Sequence, residues 1–434
     1  MRSTFKKRKN QKGIALLMVL SALTILTVSI VEFSYHERVN YHLAVNAKER
    51  LQAYYLAKSA LNFSKILLKK YKETATAASS QGVDINGLTD IPLYRKYAIS
   101  TESIRGLLTG NSDATTTTSS EPSLSDEEKA AKEKSDSDFQ DTLNMGASMV
   151  SSDEAQKFLN FEGDFYSDIS EEQAKYDLNR VAGIVSTSPS YDLRKKLLLS
   201  LLMLPKFDDT FQSHEQDAEK LVHALGDWVD NNGVINEFDN VSRGNESDIY
   251  VGQDTKVKNA KFMTLSEIRL VEGMNDDIFA NLQDDITVYA GADKINVCLS
   301  NDNADDLVAA LIYHYTHNAG CGTAVEYTDN KMKELTDAVI GACPDINTMA
   351  QTLNDKLGLI DTTSTTDSET ESTSTNNTIP SCSFQFRDLL TSDNNVFTIK
   401  AKGQIGETQL TITVVVNTTG SNAARWTYYY YRID

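Results

Sequence analysis

The sequence predicts an α+β protein: a long N-terminal helix packed on an antiparallel sheet, with a large, mostly α-helical domain inserted into that unit. Three observations carry this prediction. Ile14 to Val31 runs eighteen residues without a charge. From Glu32 to Tyr71 there is neither Gly nor Pro, and apolar residues recur at helical spacing through Tyr35, Val39, Leu43, Ala47, Leu51, Tyr54, Leu61 and Leu68. Near the C-terminus the pattern shifts to alternating or β-branched and aromatic runs over Val396 to Lys402, Thr408 to Asn417 and Arg425 to Arg432.

The N-terminal element follows from charge and length. Residues 1–13 carry Arg2, Lys6, Lys7, Arg8, Lys9 and Lys12 with no acidic residue. About 20 apolar residues at 1.5 Å rise cross the hydrocarbon core, so 14–31 can serve as a transmembrane helix. The basic leader keeps the N-terminus in the cytoplasm and sends the rest outside. Residues 32–73 would continue as the amphipathic, periplasmic half of one helix, about 87 Å long from Ile14 to Tyr71. For a cleaved signal peptide the apolar run is long, and Val28-Ser29-Ile30 is not a small-x-small cleavage site. A plain signal anchor fits the same residues. A third reading rests on Lys12-Gly13-Ile14-Ala15-Leu16-Leu17, a basic leader ending in Gly directly before the apolar run. This resembles the leader of type IV pilins and pseudopilins, which a prepilin peptidase cuts after the glycine. That resemblance implies processing between Gly13 and Ile14, with methylation of the new amine of Ile14.

Composition bounds the rest. The chain has 434 residues, 40% of them hydrophobic, and a net charge of −19. That length can build two globular units beyond the helix. So acidic a surface repels nucleic acid and anionic headgroups and leaves carboxylates free for a hard cation. Cys298, Cys321, Cys343 and Cys382 all follow the membrane segment, and an even count in an oxidising compartment suggests two disulfides, with three possible pairings.

Organisation follows from composition and period. Residues 74–190 would supply further segments of the sheet domain, interrupted around 110–137 by a polar stretch unable to bury a core. Residues 191–360 read as the inserted helical domain: Tyr191 to Leu204, His214 to Val229, two short helices around Gly273, Asp302 to Thr316, and Asp329 to Gly341. Residues 361–377 form a Ser/Thr-rich linker, and 378–434 supply the C-terminal strands.

Several motifs make the resemblance specific. Ala224-Leu225-Gly226-Asp227-Trp228-Val229-Asp230 resembles a segment ending D-W-[IV]-D, and Gly244 to Tyr250 an acidic G-x-E-D-x-x-Y loop. Leu265 to Met274, followed by Val288-Tyr289 and Ile295-Asn296-Val297, resembles an S-E-L-R-x-[VI]-x-G-[MF]…[VI]-N-V run. Met18 stands fifth after the cut, where pilins carry a glutamate. Together these resemble the minor pseudopilin K of bacterial type II secretion systems (the GspK family). The resemblance implies a pilin-like fold and a place at the tip of the pseudopilus, with the I and J minor pseudopilins as partners beside the major pseudopilin. It implies an inner-membrane anchor and a periplasmic domain in a Gram-negative bacterium. It also implies calcium in the inserted domain, carried onto Asp230, Asn232, Glu246 and Asp248; Ser247 departs from the family's acidic residue. A minor pilin of a type IV pilus and a signal-anchored periplasmic adaptor are the alternatives.

Other chemistries are weaker. His314, His317, Cys321 and Cys343 can be drawn as a zinc site, but a disulfide explains the cysteines more simply. Residues 266–297 also look like a helix-hairpin-helix, yet Glu272, Asp276, Asp277, Asp284 and Asp285 surround the hairpin where DNA would need cations. No GxSxG, HExxH, P-loop or dinucleotide fingerprint points to an enzyme or to a small-molecule substrate.

Overall fold

The computed structural model describes residues 12–79, 93–96, 99–103 and 161–434, apart from 183, 185–187, 212–214, 253–254, 292, 300–303, 360–384 and 420–424. Most of the leader, the polar stretch at 110–137, the linker at 361–377 and Cys382 therefore lie outside the described residues.

Helix α1 (Lys12–Ser79) is continuous, as the missing breakers predict. Among the described residues it is the helix long and apolar enough to cross a membrane, and its first part is exposed throughout. Its second half buries Ala53, Leu56, Ala57, Ala60, Leu61, Leu67, Leu68 and Tyr71 at three- and four-residue spacing. That stripe lies on a five-stranded antiparallel sheet in the order β1 (Ile99–Ser100), β2 (Asp164–Glu171), β7 (Val396–Ile405), β8 (Thr408–Asn417), β9 (Thr427–Ile433). Phe165, Ile169, Phe397, Ile399, Ala401, Ile412, Val414 and Val416 complete this core. The small side chains of Ala53, Ala57 and Ala60 let the helix come close to Gly403 on β7. A Cβ there would sit 2.1 Å from the Ala53 carbonyl oxygen and 2.6 Å from the Ala57 nitrogen.

The insertion lies between β2 and β7. The chain leaves the sheet at Glu171, earlier than the boundary at 191 that helical periodicity suggests, because the first inserted elements are too short to show a period. They are a 3₁₀ turn at Glu172–Ala174 and β3 (Tyr176–Asp177), which pairs in parallel with β6 (Ile286–Thr287). Helices α2 (Pro189–Leu202), α3 (Glu215–Val229), α4 (Asp276–Leu282), α5 (Ala304–Tyr313), α6 (Asn330–Gly341) and α7 (Ile346–Leu357) surround a second core. The expected helix at 302–316 becomes α5 followed by a π-helical turn at His314–Asn318. The two short helices expected around Gly273 are a 3₁₀ segment, Leu265–Leu270, and α4. Cys298 pairs with Cys343, tying the approach to α5 to the exit from α6; Cys321 is buried with its Sγ 3.7 Å from the Ala319 carbonyl oxygen.

Buried polar side chains join the two cores. Glu171 at the end of β2 accepts from Tyr94 and Arg95, and Arg95 also reaches the Leu299 carbonyl oxygen. The Gln173 amide oxygen accepts from the backbone of Asn395 and Val396, both at 2.9 Å. Glu172 accepts from Thr398 on β7 and from Thr287 in the insertion. A buried charge held by several donors is expensive to disturb, so these contacts fix the insertion to the sheet.

Candidate cation pocket

The sequence Ala224 to Asp230 ends α3 with two carboxylates three residues apart. That spacing puts Asp227 and Asp230 on one helix face. The chain then makes a short hairpin, β4 (Val234–Asn236) against β5 (Ser242–Asn245), with Val234 opposite Asn245. The hairpin returns the chain to the same place, where the one-turn helix Glu246–Ile249 begins. Asn245 caps that turn by accepting from the Ser247 N–H at 3.1 Å. Glu246 is thereby delivered beside the end of α3.

One oxygen each from Asp227, Asp230 and Glu246 lies within 4.8 Å of the others, and all three residues are buried. Among the described residues this is the group of His, Cys, Asp and Glu side chains able to hold a metal ion. Asp230 is well braced: Oδ1 accepts from Asn232 N–H at 3.1 Å. Its Oδ2 accepts from the Tyr191 hydroxyl at 3.2 Å, Asn232 Nδ2 at 2.9 Å and Asn236 Nδ2 at 3.0 Å. Asp227 Oδ1 accepts from the Asn236 N–H at 3.1 Å, while Oδ2 has no hydrogen-bond partner. Glu246 is 1% exposed, and neither carboxylate oxygen accepts a well-formed hydrogen bond. Asn259 donates to the Asn232 carbonyl oxygen and leaves its own Oδ1 buried and unpartnered. Its backbone is left-handed, at φ 49°.

The electrostatics match. Burial, reinforced by the Asp227 and Asp230 charges and opposed by the nearby Asn259 amide, pushes the Glu246 carboxyl up to about 8. Burial pushes Asp227 up to about 7, opposed by the Asn236 N–H and by Lys195. Lys195, fully buried on α2, is held down to about 8 by burial against the pull of Asp227, Asp192, Asp230 and Glu237. Its ammonium donates to the Asn236 carbonyl oxygen and lies 4.8 Å from the Tyr191 ring centroid and 5.3 Å from that of Phe238. Gly226 makes room for this side chain, since a Cβ there would lie 3.0 Å from Lys195 Cδ and 3.1 Å from the Tyr191 hydroxyl.

Buried carboxylate oxygens without donors are costly unless a cation meets them. The donor set is all oxygen, which suits a hard ion such as calcium. The residues present therefore fit calcium. Of the four positions the resemblance suggested, the structure brings Asp230 and Glu246 together and adds Asp227. Asn232 braces the loop, with Oδ1 accepting from the Val234 N–H at 2.8 Å and the Asn236 amide at 3.3 Å. Asp248 is exposed on the outer side of its helical turn. The three-residue spacing of Asp227 and Asp230 was the signal that could have found the third carboxylate of the group.

The zinc arrangement does not assemble. His317 Nε2 lies 3.1 Å from Glu326, His314 Nδ1 lies 3.2 Å from the Asn318 amide, and Cys343 is in the disulfide. The hairpin-like segment keeps its acidic character, with Asp276 paired to Arg269 at 2.8 Å and the buried Asp285 paired to Lys206.

Residues 174–291 match the sequence model of the family "Type II secretion system (T2SS), protein K". A solved structure, the GspK-GspI-GspJ complex from the enterotoxigenic Escherichia coli type 2 secretion system, is similar at 15% identity and a TM-score of 0.40. The match covers 63% of this chain and 80% of that one. No relative among curated proteins matches. The matched residues 174–291 include Asp227, Asp230 and Glu246, so the pocket lies within the part of the chain that is similar to protein K of the type II secretion system.

Proposed function

We propose that this chain is the K-type minor pseudopilin of a type II secretion system, seated at the tip of the pseudopilus with the I and J minor pseudopilins. One observation carries the reading: the domain matched by the protein K family is inserted between β2 and β7 of a helix-on-sheet unit whose helix runs on as an exposed apolar rod. Such a rod stacks against like helices in a fibre, while the second core beside the sheet is too bulky to repeat along it.

Met18 supports the same position. It is exposed on α1 within the apolar stretch. A carboxylate in lipid persists only when paired, and the resemblance to pilins implies that their fibres pair it with the amine of the next subunit. A subunit with methionine there lacks one half of that contact and suits an end. Cleavage after Gly13 by a prepilin peptidase would free the Ile14 amine, and the basic leader holds α1 in the inner membrane with both folded units in the periplasm. The role is mechanical and recognitional: to nucleate the fibre with I and J, stop its growth, and so support protein export through the outer membrane. Calcium in the Asp227–Asp230–Glu246 pocket would supply the charge that locks the end of α3 to the β4–β5 hairpin.

Co-expression of the full chain with the I and J pseudopilins of the same operon tests this. The three should extract from the membrane as one complex of equal stoichiometry. Failure of this chain to travel with either partner would overturn the reading.

A further inference from the structure

Lys195 needs an explanation that the metal ligands do not give. A lysine is almost never fully buried unless it is paired, yet this one is buried on α2 with its ammonium donating to a backbone carbonyl. That carbonyl belongs to Asn236, the residue that also brackets both carboxylates. Its N–H donates to Asp227 Oδ1 and its side-chain amide to Asp230 Oδ2. The acidic groups around the ammonium are Asp192 on the same helix, Asp227 and Asp230 at the end of α3, and Glu237 beyond β4. Glu237 pairs with Arg243 at 3.5 Å, while Asp192 uses one oxygen on the Asp239 N–H and leaves the other buried without a partner. Lys195 thus pairs with no carboxylate among the described residues and reaches the two aspartates through Asn236.

We propose that Lys195 is a positioning residue of the cation pocket, a fixed positive charge that clamps the ligand-bearing loop through Asn236 and sets the pocket's preference for a divalent over a trivalent ion. This rests on the reading of Asp227, Asp230 and Glu246 as a cation site. Three ligand carboxylates with a neighbouring fourth would attract a trivalent ion strongly. An ammonium bonded to the residue that holds both aspartates repels each added unit of ion charge, an effect on the order of tenfold in relative affinity. A merely structural lysine would change stability without changing this ratio.

The test compares calcium and terbium(III) binding to the full chain in detergent, by calorimetry and by protein-excited terbium luminescence. Lys195→Met should raise the terbium-to-calcium affinity ratio by about tenfold. Lys195→Gln, which keeps a donor for the Asn236 carbonyl but not the charge, should do the same. Lys196→Met, a neighbouring lysine paired instead with Asp239 at 3.4 Å, should leave the ratio at the wild-type value. If wild type binds neither ion, the cation-site reading itself fails. If wild type binds both but the Lys195 and Lys196 variants give the same ratio, the Lys195 proposal alone is overturned. It is overturned equally if neither neutral Lys195 variant folds in calcium, because the side chain is then only part of the core.

Discussion

Gly403→Val is expected to loosen α1 from the sheet and destabilise the helix-on-sheet unit by about 3 kcal/mol or more, at the upper end of overpacking penalties. The reason is backbone against backbone. The Cβ position at Gly403 lies 2.1 Å from the Ala53 carbonyl oxygen, 2.6 Å from the Ala57 nitrogen and 2.9 Å from Leu56 Cβ. Two of these atoms belong to a helix ladder and cannot rotate away as a side chain would. Either the helix lifts, opening the Phe397, Ile399 and Ala401 contacts, or β7 bends. Gly341→Ala is the matched control: nothing lies within 4 Å of its Cβ position inside α6, so it should be neutral or stabilising by about 0.5–1 kcal/mol. Chemical denaturation of the detergent-solubilised chain reads both. An unchanged midpoint for Gly403→Val would mean that helix and sheet are not in close contact there.

Calcium should raise the melting temperature of the inserted domain, and Glu246→Gln or Asp227→Asn should remove that response. At a hundredfold excess over its dissociation constant, a ligand bound to the folded state alone contributes about 2.7 kcal/mol. The pH dependence has a definite sign. Asp227 and Glu246 are raised to about 7 and about 8, chiefly by burial, so ionising them opposes folding in the ion-free protein. Their contribution is most favourable below the ordinary carboxylate range and is lost as pH rises through those raised values. Lys195, at about 8, stays mainly charged between pH 5 and 7 and does not reverse the trend there. The contribution of Asp227 and Glu246 to ion-free stability should therefore fall from pH 5 to pH 8, against an opposite contribution from the half-buried His223 and the buried His314, both pushed down to about 3. The increment from calcium should grow over the same interval. Melting curves in EDTA and in excess calcium at the two pH values check this. An increment that is absent, or equal at both, would contradict the assigned pocket.

How much can be read from the sequence depends on whether an element's burial shows as a period. Helix α1 is legible because no Gly or Pro interrupts it over Glu32 to Tyr71 and its buried stripe keeps helical spacing. The strands β7 and β8 are legible because Val396 to Ile405 and Thr408 to Asn417 are rich in β-branched residues. Strand β2 is not. In Asp164–Glu171 the inward positions are Phe165, Ser167, Ile169 and Glu171, and two of these are polar. Ser167 bonds Ser64 of α1 at 2.7 Å and Glu171 meets Tyr94 and Arg95, so polar partners far away in sequence hide the pattern. Helix α7 escapes notice for another reason: Ile346–Leu357 is rich in Asn and Thr, which favour helix poorly, and its start depends on the Asp345 cap.

The candidate site is half legible. The acidic run locates it, but which oxygens converge depends on the β4–β5 hairpin, whose register carries Glu246 back to Asp227 and turns Asp248 outward. The Cys298–Cys343 pairing likewise follows from how α5 and α6 pack, and spacing could not choose it.

The central claim, that this subunit ends a fibre, is tested most directly by labelling the chain in cells that assemble long surface pseudopili and locating the label by electron microscopy. A single label at one end of each fibre is expected; label spaced along the shaft would contradict it.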